Sequence, residues 1–278
     1  MKFALTAFPG RYALPGRPPN ASPSALDAHK QTQFLLGDDL GLFERAMNSQ
    51  LGIVAENKKA RTVGAAAIVS LWSRTFSHLA DGCALLCTGS YISCPPLLRT
   101  ALDCVAVQRA LNAGGFAEYE EWFAGAVSQA KEHQALAFDL GRFRAASVLA
   151  EDDRLGATYR LLTDLSMPHF GSIALQVGPE SGLEKIVMSF ADSAFHLGWA
   201  ELTVGWLLML ADAQLRTLGE QDALPLSDDA RRGIEQLSTE VTAAMSSARR
   251  CHVEEVEGRF LFQNFRRTAS GQPKRVML

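Results

Sequence analysis

Histidine and arginine are the residue types in this sequence best suited to acid–base chemistry on a phosphate group. In the stretch LLTDLSMPHFGS, His169 directly follows Pro168, where a helical pattern must end. Arg160 lies just before this stretch. An imidazole can act as general acid or base while a guanidinium holds a phosphate, so Arg160 and His169 are the candidate catalytic pair if the protein cleaves RNA. The alternative is a structural histidine at a helix end, where carbonyl groups favour its protonated form.

Two further pairs of polar residues are spaced by one helical turn. Arg99 and Asp103 lie in LLRTALDCVA, among mostly apolar positions. Asp192 and His196 lie on a predicted helix, 190–218. Residues four apart share a helix face, so each carboxylate can pair with its partner. We interpret all four as buried polar organisers, with an acid–base role for His196 as the alternative.

Cysteine spacing and glycine motifs argue against the common types of catalytic site. The cysteines are Cys83, Cys87, Cys94, Cys104 and Cys251. Their spacing does not fit a zinc site, and no Glu-x-x-His pair of a di-iron bundle occurs. The chain also lacks a Gly-x-Ser-x-Gly elbow and a phosphate-binding glycine loop. We therefore expect buried free thiols, no metal and no cofactor.

The C-terminal segment GRFLFQNFRRTASGQPKRVML is basic and has no acidic residue after Glu257. Basic residues interleaved with phenylalanines can bind RNA by charge and stacking, and the alternative is apolar docking followed by a solvated end. The candidate nucleic-acid contacts are Arg259, Arg266, Arg267, Lys274 and Arg275.

Composition describes an ordinary globular protein. The chain has 278 residues and 27 basic against 30 acidic residues, a net charge of −3, which does not favour a strongly nucleic-acid-binding surface overall. Its most apolar segment, 197–211, is shorter than the roughly 20 residues of a membrane span and carries Glu201. Cysteine usage indicates a reducing compartment. We expect a cytoplasmic protein without a membrane anchor.

The elements that must position these residues are predicted to be helices. Five of the eleven prolines fall in the first 23 residues, so residues 1–25 are predicted to form an arm. Residues 26–257 have the 3.6-residue apolar period of helices, and 258–278 form the basic tail. The predicted fold is all-α, an up-and-down bundle of about eight helices with a short irregular or hairpin insertion near 170–189.

Helix boundaries follow from local signals. Asp38 or Asp39 is predicted to cap the second helix, and Ser227 the last one, which could reach Val256. The best-delimited helix begins near Ser93 with two prolines in its first turn and ends at Gly114. The helix 190–218 is apolar nearly all round, which predicts a central, buried position.

Two segments, LLRTALDCVAVQRAL and YRLLTDLSMPHFGSI, resemble motifs of uncharacterised bacterial all-helical proteins with a fold similar to HEPN domains. The motifs are Leu-Leu-Arg-Ser-x-x-Glu and Tyr-x-x-Leu-Ser…His-Pro-Ser, and the resemblance covers about residues 60–215. It implies a HEPN-like core and a bundle that often dimerises. Active HEPN domains are metal-independent ribonucleases with an arginine followed, after four to six residues, by a histidine.

This chain departs from that catalytic signature. The arginine–histidine pairs here are separated by three residues, by eight and by two: Arg74 and His78, Arg160 and His169, Arg249 and His252. The nuclease activity of HEPN domains is therefore not carried over to this chain.

Three functions remain as hypotheses. The leading one is a non-catalytic helical binding or assembly module that forms a homodimer. The first alternative is a HEPN-related RNA-acting effector, a metal-independent ribonuclease of the defence or toxin type. The second is a small-molecule-binding bundle with Trp72, Trp199 and Trp206 as pocket walls.

Overall fold

Helices form most of the chain that the structure describes. This computed structural model describes residues 7–57, 62–133, 148–149, 152–168, 184–185, 187–188, 190–221 and 223–278. Its helices are α1 (Pro23–Leu35), α2 (Gly37–Asn57), α3 (Val63–Cys87), α4 (Cys94–Ala113), α5 (Ala117–His133), α6 (Asp153–Ser166), α7 (Leu197–Gly219) and α8 (Asp228–Met245). Its strands are β1 (His252–Val256), β2 (Arg259–Phe265) and β3 (Lys274–Met277). A mostly helical protein is confirmed, and the sheet is the departure from the all-α prediction.

Short polar side chains begin four of these helices. In each case the side-chain oxygen accepts a hydrogen bond from the backbone N–H three residues on, which satisfies a donor that the helix leaves free. The four cap residues are Ser22, Thr62, Asp152 and Ser227. The cap predicted at Ser227 is therefore confirmed. Asp38 and Asp39 lie inside the first turn of α2, because that helix begins at Gly37.

The last helix is shorter than predicted. It ends at Met245, so the prediction that it reaches Val256 is wrong. A β-hairpin takes up the chain instead, with β1 and β2 joined by Glu257 and Gly258, whose φ angles are 52° and 75°. Two positive φ angles in a two-residue loop are those of a type I′ turn, which suits the twist of a hairpin.

The three strands form an antiparallel meander in the order β1–β2–β3. Residues 258–278, predicted to form a basic tail, thus contain β2 and β3. The predicted insertion near 170–189 lies almost entirely outside the described residues.

The sheet is attached to the beginning of α7. The backbone N–H groups of Leu197 and Gly198 donate to the carbonyl oxygens of Arg267 and Arg266, at 2.9 and 2.8 Å. A Cβ atom on Gly198 would lie 2.9 Å from the ring of Phe265, so only glycine permits this approach. The end of β2 therefore satisfies helix donors that would otherwise have no partner inside the helix.

Helix α7 is the centre of the molecule. All of its residues except Arg216 and Gly219 are buried, and it packs against α2, α3, α4 and α8. In the core, the amides of Gln108 and Gln214 donate to each other, both at 2.9 Å. The predicted central position is confirmed, but the helix begins after His196 and not at Phe190.

The N-terminal arm docks on α2 and α3. Tyr12 is buried, with its ring edge-on to those of Phe43 and Phe76 at centroid distances of 5.8 and 6.1 Å. The side chain of Asn48 bonds both the backbone N–H and the carbonyl of Tyr12, each at 3.0 Å. These contacts fix the arm to the body of the protein.

None of the described helices combines the length and the apolar character that a bilayer crossing requires.

Candidate functional site

Only one member of the candidate catalytic pair, Arg160, lies among the described residues. Arg160 lies on α6, and its guanidinium forms an ion pair with Glu255 of β1 at 2.6 Å. His169 lies outside the described residues. Helix α6 ends at Ser166, and Met167 has extended backbone before Pro168, as the proline predicts. Arg160 therefore serves to link α6 to the sheet.

The two segments that carry the HEPN resemblance meet in the structure. Arg99 of α4 donates to the hydroxyl of Tyr159 of α6 at 3.1 Å, and its guanidinium carbon lies 5.4 Å from the centre of that ring. Asp103 lies 3.7 Å from Arg99, at ion-pair distance. Both charged side chains are about one-third exposed, so they organise a helix–helix contact at a half-buried position and not in the core. Burial raises the pKa of Asp103 despite the opposing charge of Arg99.

Asp192 and His196 do not form the predicted pair on one helix face. Residues 192–196 are not helical, and the Asp192 carboxylate accepts from the backbone N–H of Ala194 at 2.9 Å. His196 is the N-cap of α7: its Nδ1 accepts from the backbone N–H of Trp199 at 3.4 Å, and its ring packs on Phe265 at 4.7 Å. The imidazole caps the central helix, a role that the sequence analysis did not predict.

This cap makes stability depend on pH. Burial, and next the positive charge of Arg267, lower the pKa of His196 to about 4, against 6.5 in an unfolded chain. Between these values the unfolded state binds more protons, so acid favours unfolding. We expect His196 to reduce the free energy of unfolding by up to about 3 kcal/mol as pH falls from 6.5 to 4.

The variant His196→Asn keeps a capping side chain and removes the titration. Urea unfolding of both proteins between pH 4 and pH 8 measures the effect as the difference between the two curves. A difference that does not change with pH would contradict the assignment.

The basic C-terminal residues have several different roles. Arg266 donates to Glu201 at 3.4 Å and to the carbonyl of Arg249 at 3.3 Å, so its charge is engaged within the protein. Arg267 provides a carbonyl to the start of α7. The side chains that remain exposed are those of Arg259, Lys274 and Arg275. Strand β1 places Glu254 and Glu255 in the same small sheet, so this surface carries both signs of charge.

The five cysteines are free and buried. Burial raises the pKa of Cys94 and of Cys251 to about 12, which keeps both as thiols. Across the described ranges, no three histidine, cysteine, aspartate or glutamate side chains gather as a metal site would require.

A groove bounded by α6, α7, the end of α8 and the first two strands combines apolar, thioether and charged side chains. Its volume is about 190 Å³. Apolar and thioether side chains form much of its wall: Leu161, Leu202, Trp206, Met209, Met245 and Phe260. The charged or titratable side chains on it are Arg154, Glu201, Arg250, His252 and Glu255.

The three tryptophans suggested as pocket walls lie in different places. Trp206 lines the groove. Trp72 lines a second depression of about 140 Å³ beside the N-terminal arm. Trp199 packs against the rings of Phe262 and Phe265 in the sheet.

Arg250 anchors the polar end of the groove. Its side chain is 8% exposed, and Nη1 donates to both carboxylate oxygens of Asp39, at 3.1 and 2.9 Å. Nη2 donates to the carbonyl of Glu201 at 3.0 Å. One guanidinium thus joins α2, α7 and the segment that leads into β1. A buried charge needs such partners, because losing its hydration without them is very unfavourable.

Glu201 completes the same network. One of its carboxylate oxygens accepts from the backbone N–H of Cys251 at 2.9 Å, and the other from Arg266 at 3.4 Å. A glutamate within the most apolar segment of the sequence is a signal for a buried polar network, since that charge must find partners. Arg250 has no comparable local signal, because Asp39 lies 211 residues away in sequence.

Two donors of the groove lack a partner within the described part of the chain, and the first of them is buried. One is Nε of Arg250. The other is the indole N–H of Trp206, a residue that is 6% exposed. Arg154, at the rim, is exposed and has no ion-pair partner among the described residues. A buried donor normally has a partner, so Nε of Arg250 has unused capacity to bind an acceptor, and the other two groups are open to the same ligand.

Comparison of the chain with protein-family models, curated proteins and solved structures finds no match. No family is assigned, and the HEPN-like core stays a prediction.

Proposed function

We propose that this protein is a binding module whose groove between α6, α7 and the C-terminal sheet holds a small molecule with an apolar body. The observation that carries the proposal is the groove itself, in which an indole and two thioethers lie beside a buried network of charges. Ligand sites are typically apolar concavities with a few fixed polar groups. The proposal combines the predicted binding module with the predicted small-molecule bundle.

The size of the groove limits the ligand. A cavity of roughly 150 Å³ holds benzene, so about 190 Å³ accommodates a single ring with a short substituent. Thioether side chains adapt their shape to such ligands because they have three rotatable bonds and a polarisable sulfur. We therefore expect a ligand of about one ring in size.

The ion pairs that two candidate arginines form within the protein support this function over RNA binding. Arg160 and Arg266 form ion pairs with carboxylates, those of Glu255 and Glu201. The exposed basic side chains of β2 and β3 share their small sheet with two glutamates of β1, so this surface is not uniformly positive. The predicted homodimer and the RNA-acting alternative stay predictions, which light scattering and an RNA-cleavage assay would test.

Blocking the groove tests the proposal. Ala157 lines it from α6, so Ala157→Phe is expected to fill part of the cavity. Ala243 is exposed on α8, away from the lining residues, so Ala243→Phe is the matched control. The measurement is a thermal-shift screen with single-ring acids, alcohols and amines. A ligand that binds only the folded state stabilises it by RT ln(1 + [L]/Kd), so it raises the melting temperature.

We expect at least one class of fragment to stabilise the wild type and Ala243→Phe but not Ala157→Phe. A screen without stabilising fragments, or equal stabilisation of all three proteins, would refute the proposed function.

A further inference from the structure

The charges that line the groove are almost completely paired within the protein. Arg250 is paired with Asp39 and Glu255 with Arg160, while both oxygens of the Glu201 carboxylate are occupied. His252 contacts a backbone carbonyl through Nδ1 and Glu254 through Nε2. Arg154 at the rim is left without an ion-pair partner in the described part of the chain. Arg154 is therefore the one charged side chain on the lining that has no partner in the described part of the chain.

The hydrogen-bonding groups show the same imbalance. The unused groups are donors, namely Nε of Arg250 and the indole N–H of Trp206. The carboxylates on the lining, Glu201 and Glu255, already accept from protein donors. A ligand that supplied acceptors would satisfy the free donors, whereas a ligand that supplied donors would find both oxygens of Glu201 and one oxygen of Glu255 occupied.

The Nε atom of Arg250 and the end of the Met245 side chain lie close to the same glycine, Gly205. A Cβ atom on Gly205 would lie 3.0 Å from the terminal methyl of Met245 and 3.7 Å from Nε of Arg250, so both share the space over this glycine. Methionine changes rotamer easily, so a shift of Met245 opens Nε to a ligand in the groove.

We propose that the ligand of this groove is a small monocarboxylate with a single ring. Its carboxylate lies between Arg154 and the donors of Arg250 and Trp206, and its ring contacts Met209 and Phe260. The one unpaired guanidinium, that of Arg154, matches one negative charge, which favours a carboxylate over a doubly charged phosphate monoester. This inference rests on the proposed function and adds the chemical class of the ligand.

The test compares four probes that share a ring and differ in charge: phenylacetate, 2-phenylethanol, 2-phenylethylamine and phenyl phosphate. Isothermal titration of the full chain measures each affinity. Phenylacetate is expected to bind about tenfold more tightly than 2-phenylethanol, because hydrogen bonds to a charged group are stronger than those to a neutral one. The amine and the phosphate are expected to bind more weakly than phenylacetate.

A charge-removing variant locates the carboxylate. Arg154→Gln is expected to weaken phenylacetate binding about tenfold and to leave 2-phenylethanol binding unchanged. Arg17→Gln, at an exposed position of the N-terminal arm, is the control and is expected to bind all probes as the wild type does.

The outcomes separate this inference from the proposed function. Binding of 2-phenylethanol, 2-phenylethylamine or phenyl phosphate as tight as that of phenylacetate would overturn the carboxylate assignment and leave a binding groove. Equal loss of alcohol and acid binding in Arg154→Gln would also overturn it. Failure of every probe and of the fragment screen would overturn both proposals.

Discussion

Arg250→Met is expected to lower the free energy of unfolding by about 3–5 kcal/mol. The substitution removes a guanidinium that donates to Asp39 and to the carbonyl of Glu201. Asp39 is then left mostly buried, with its side chain 15% exposed and without its cationic partner. Its place in the first turn of α2 favours a negative charge but does not replace the lost hydrogen bonds.

Urea unfolding followed by circular dichroism measures this loss. The matched control is Arg45→Met, because Arg45 pairs with Glu240 at 2.5 Å on the surface, with 58% of its side chain exposed. Exposed ion pairs contribute roughly 0–1 kcal/mol, so the control is expected to unfold almost as the wild type does.

A double-mutant cycle assigns the loss to the pair. Asp39→Asn added to Arg250→Met removes the unpaired charge, so the double variant is expected to lose less stability than the sum of the two single changes. A loss below about 1 kcal/mol for Arg250→Met, or strict additivity in the cycle, would show that this ion pair does not hold α2, α7 and the sheet together.

The Arg250 network also explains why the groove has a defined shape. The groove lies where α6, α7 and the sheet meet, and the buried pair of Arg250 and Asp39 stabilises this junction. The pair of Arg160 and Glu255 is as exposed as the control pair that Arg45 forms, so it contributes little stability. Both bridges connect elements that are distant in sequence. Arg160, which the sequence suggested for catalysis, thus contacts the sheet at the surface of this junction.

Elements with strong local signals could be predicted from the sequence. Helix α4 ends at Ala113 with Gly114 as its C-cap, as the glycine predicts, and has prolines in its first turn. Helix α7 is central because nearly every position in it is apolar. These features depend on residues close together in the chain, so a short window of sequence is enough to detect them.

The C-terminal hairpin and the groove depend on contacts between distant residues. The segment HVEEV has a mixture of polar and apolar residues similar to that of α8, so its sequence does not distinguish a strand from a helix. It forms a strand by pairing with β2. Arg99 and Tyr159 are 60 residues apart, and Arg250 and Asp39 are 211 residues apart. Such contacts are determined by the tertiary structure and leave no local pattern, so the candidate site could not be located from the sequence.

Phe262→Ala tests whether the sheet is an integral part of the fold. Phe262 is fully buried on β2, with its ring edge-on to those of Trp199 and Phe265 at centroid distances of 6.3 and 6.0 Å. Removing the ring leaves a cavity between the sheet and α7, which is expected to reduce the free energy of unfolding by about 3–5 kcal/mol. Urea unfolding measures the change, and Phe190→Ala is the control because that ring is fully exposed.

Hydrogen exchange then shows which part of the protein loses stability in Phe262→Ala. If Phe262 attaches the sheet to α7, the amides of β1 and β2 lose protection in Phe262→Ala, while those of α3 and α4 keep it up to global unfolding. The groove shares Phe260 of β2 as a wall, so ligand binding is expected to weaken together with sheet protection. Unchanged exchange in the sheet, with stability within about 1 kcal/mol of the wild type, would mean that the strands are held by their hydrogen bonds to α7 and not by this aromatic cluster.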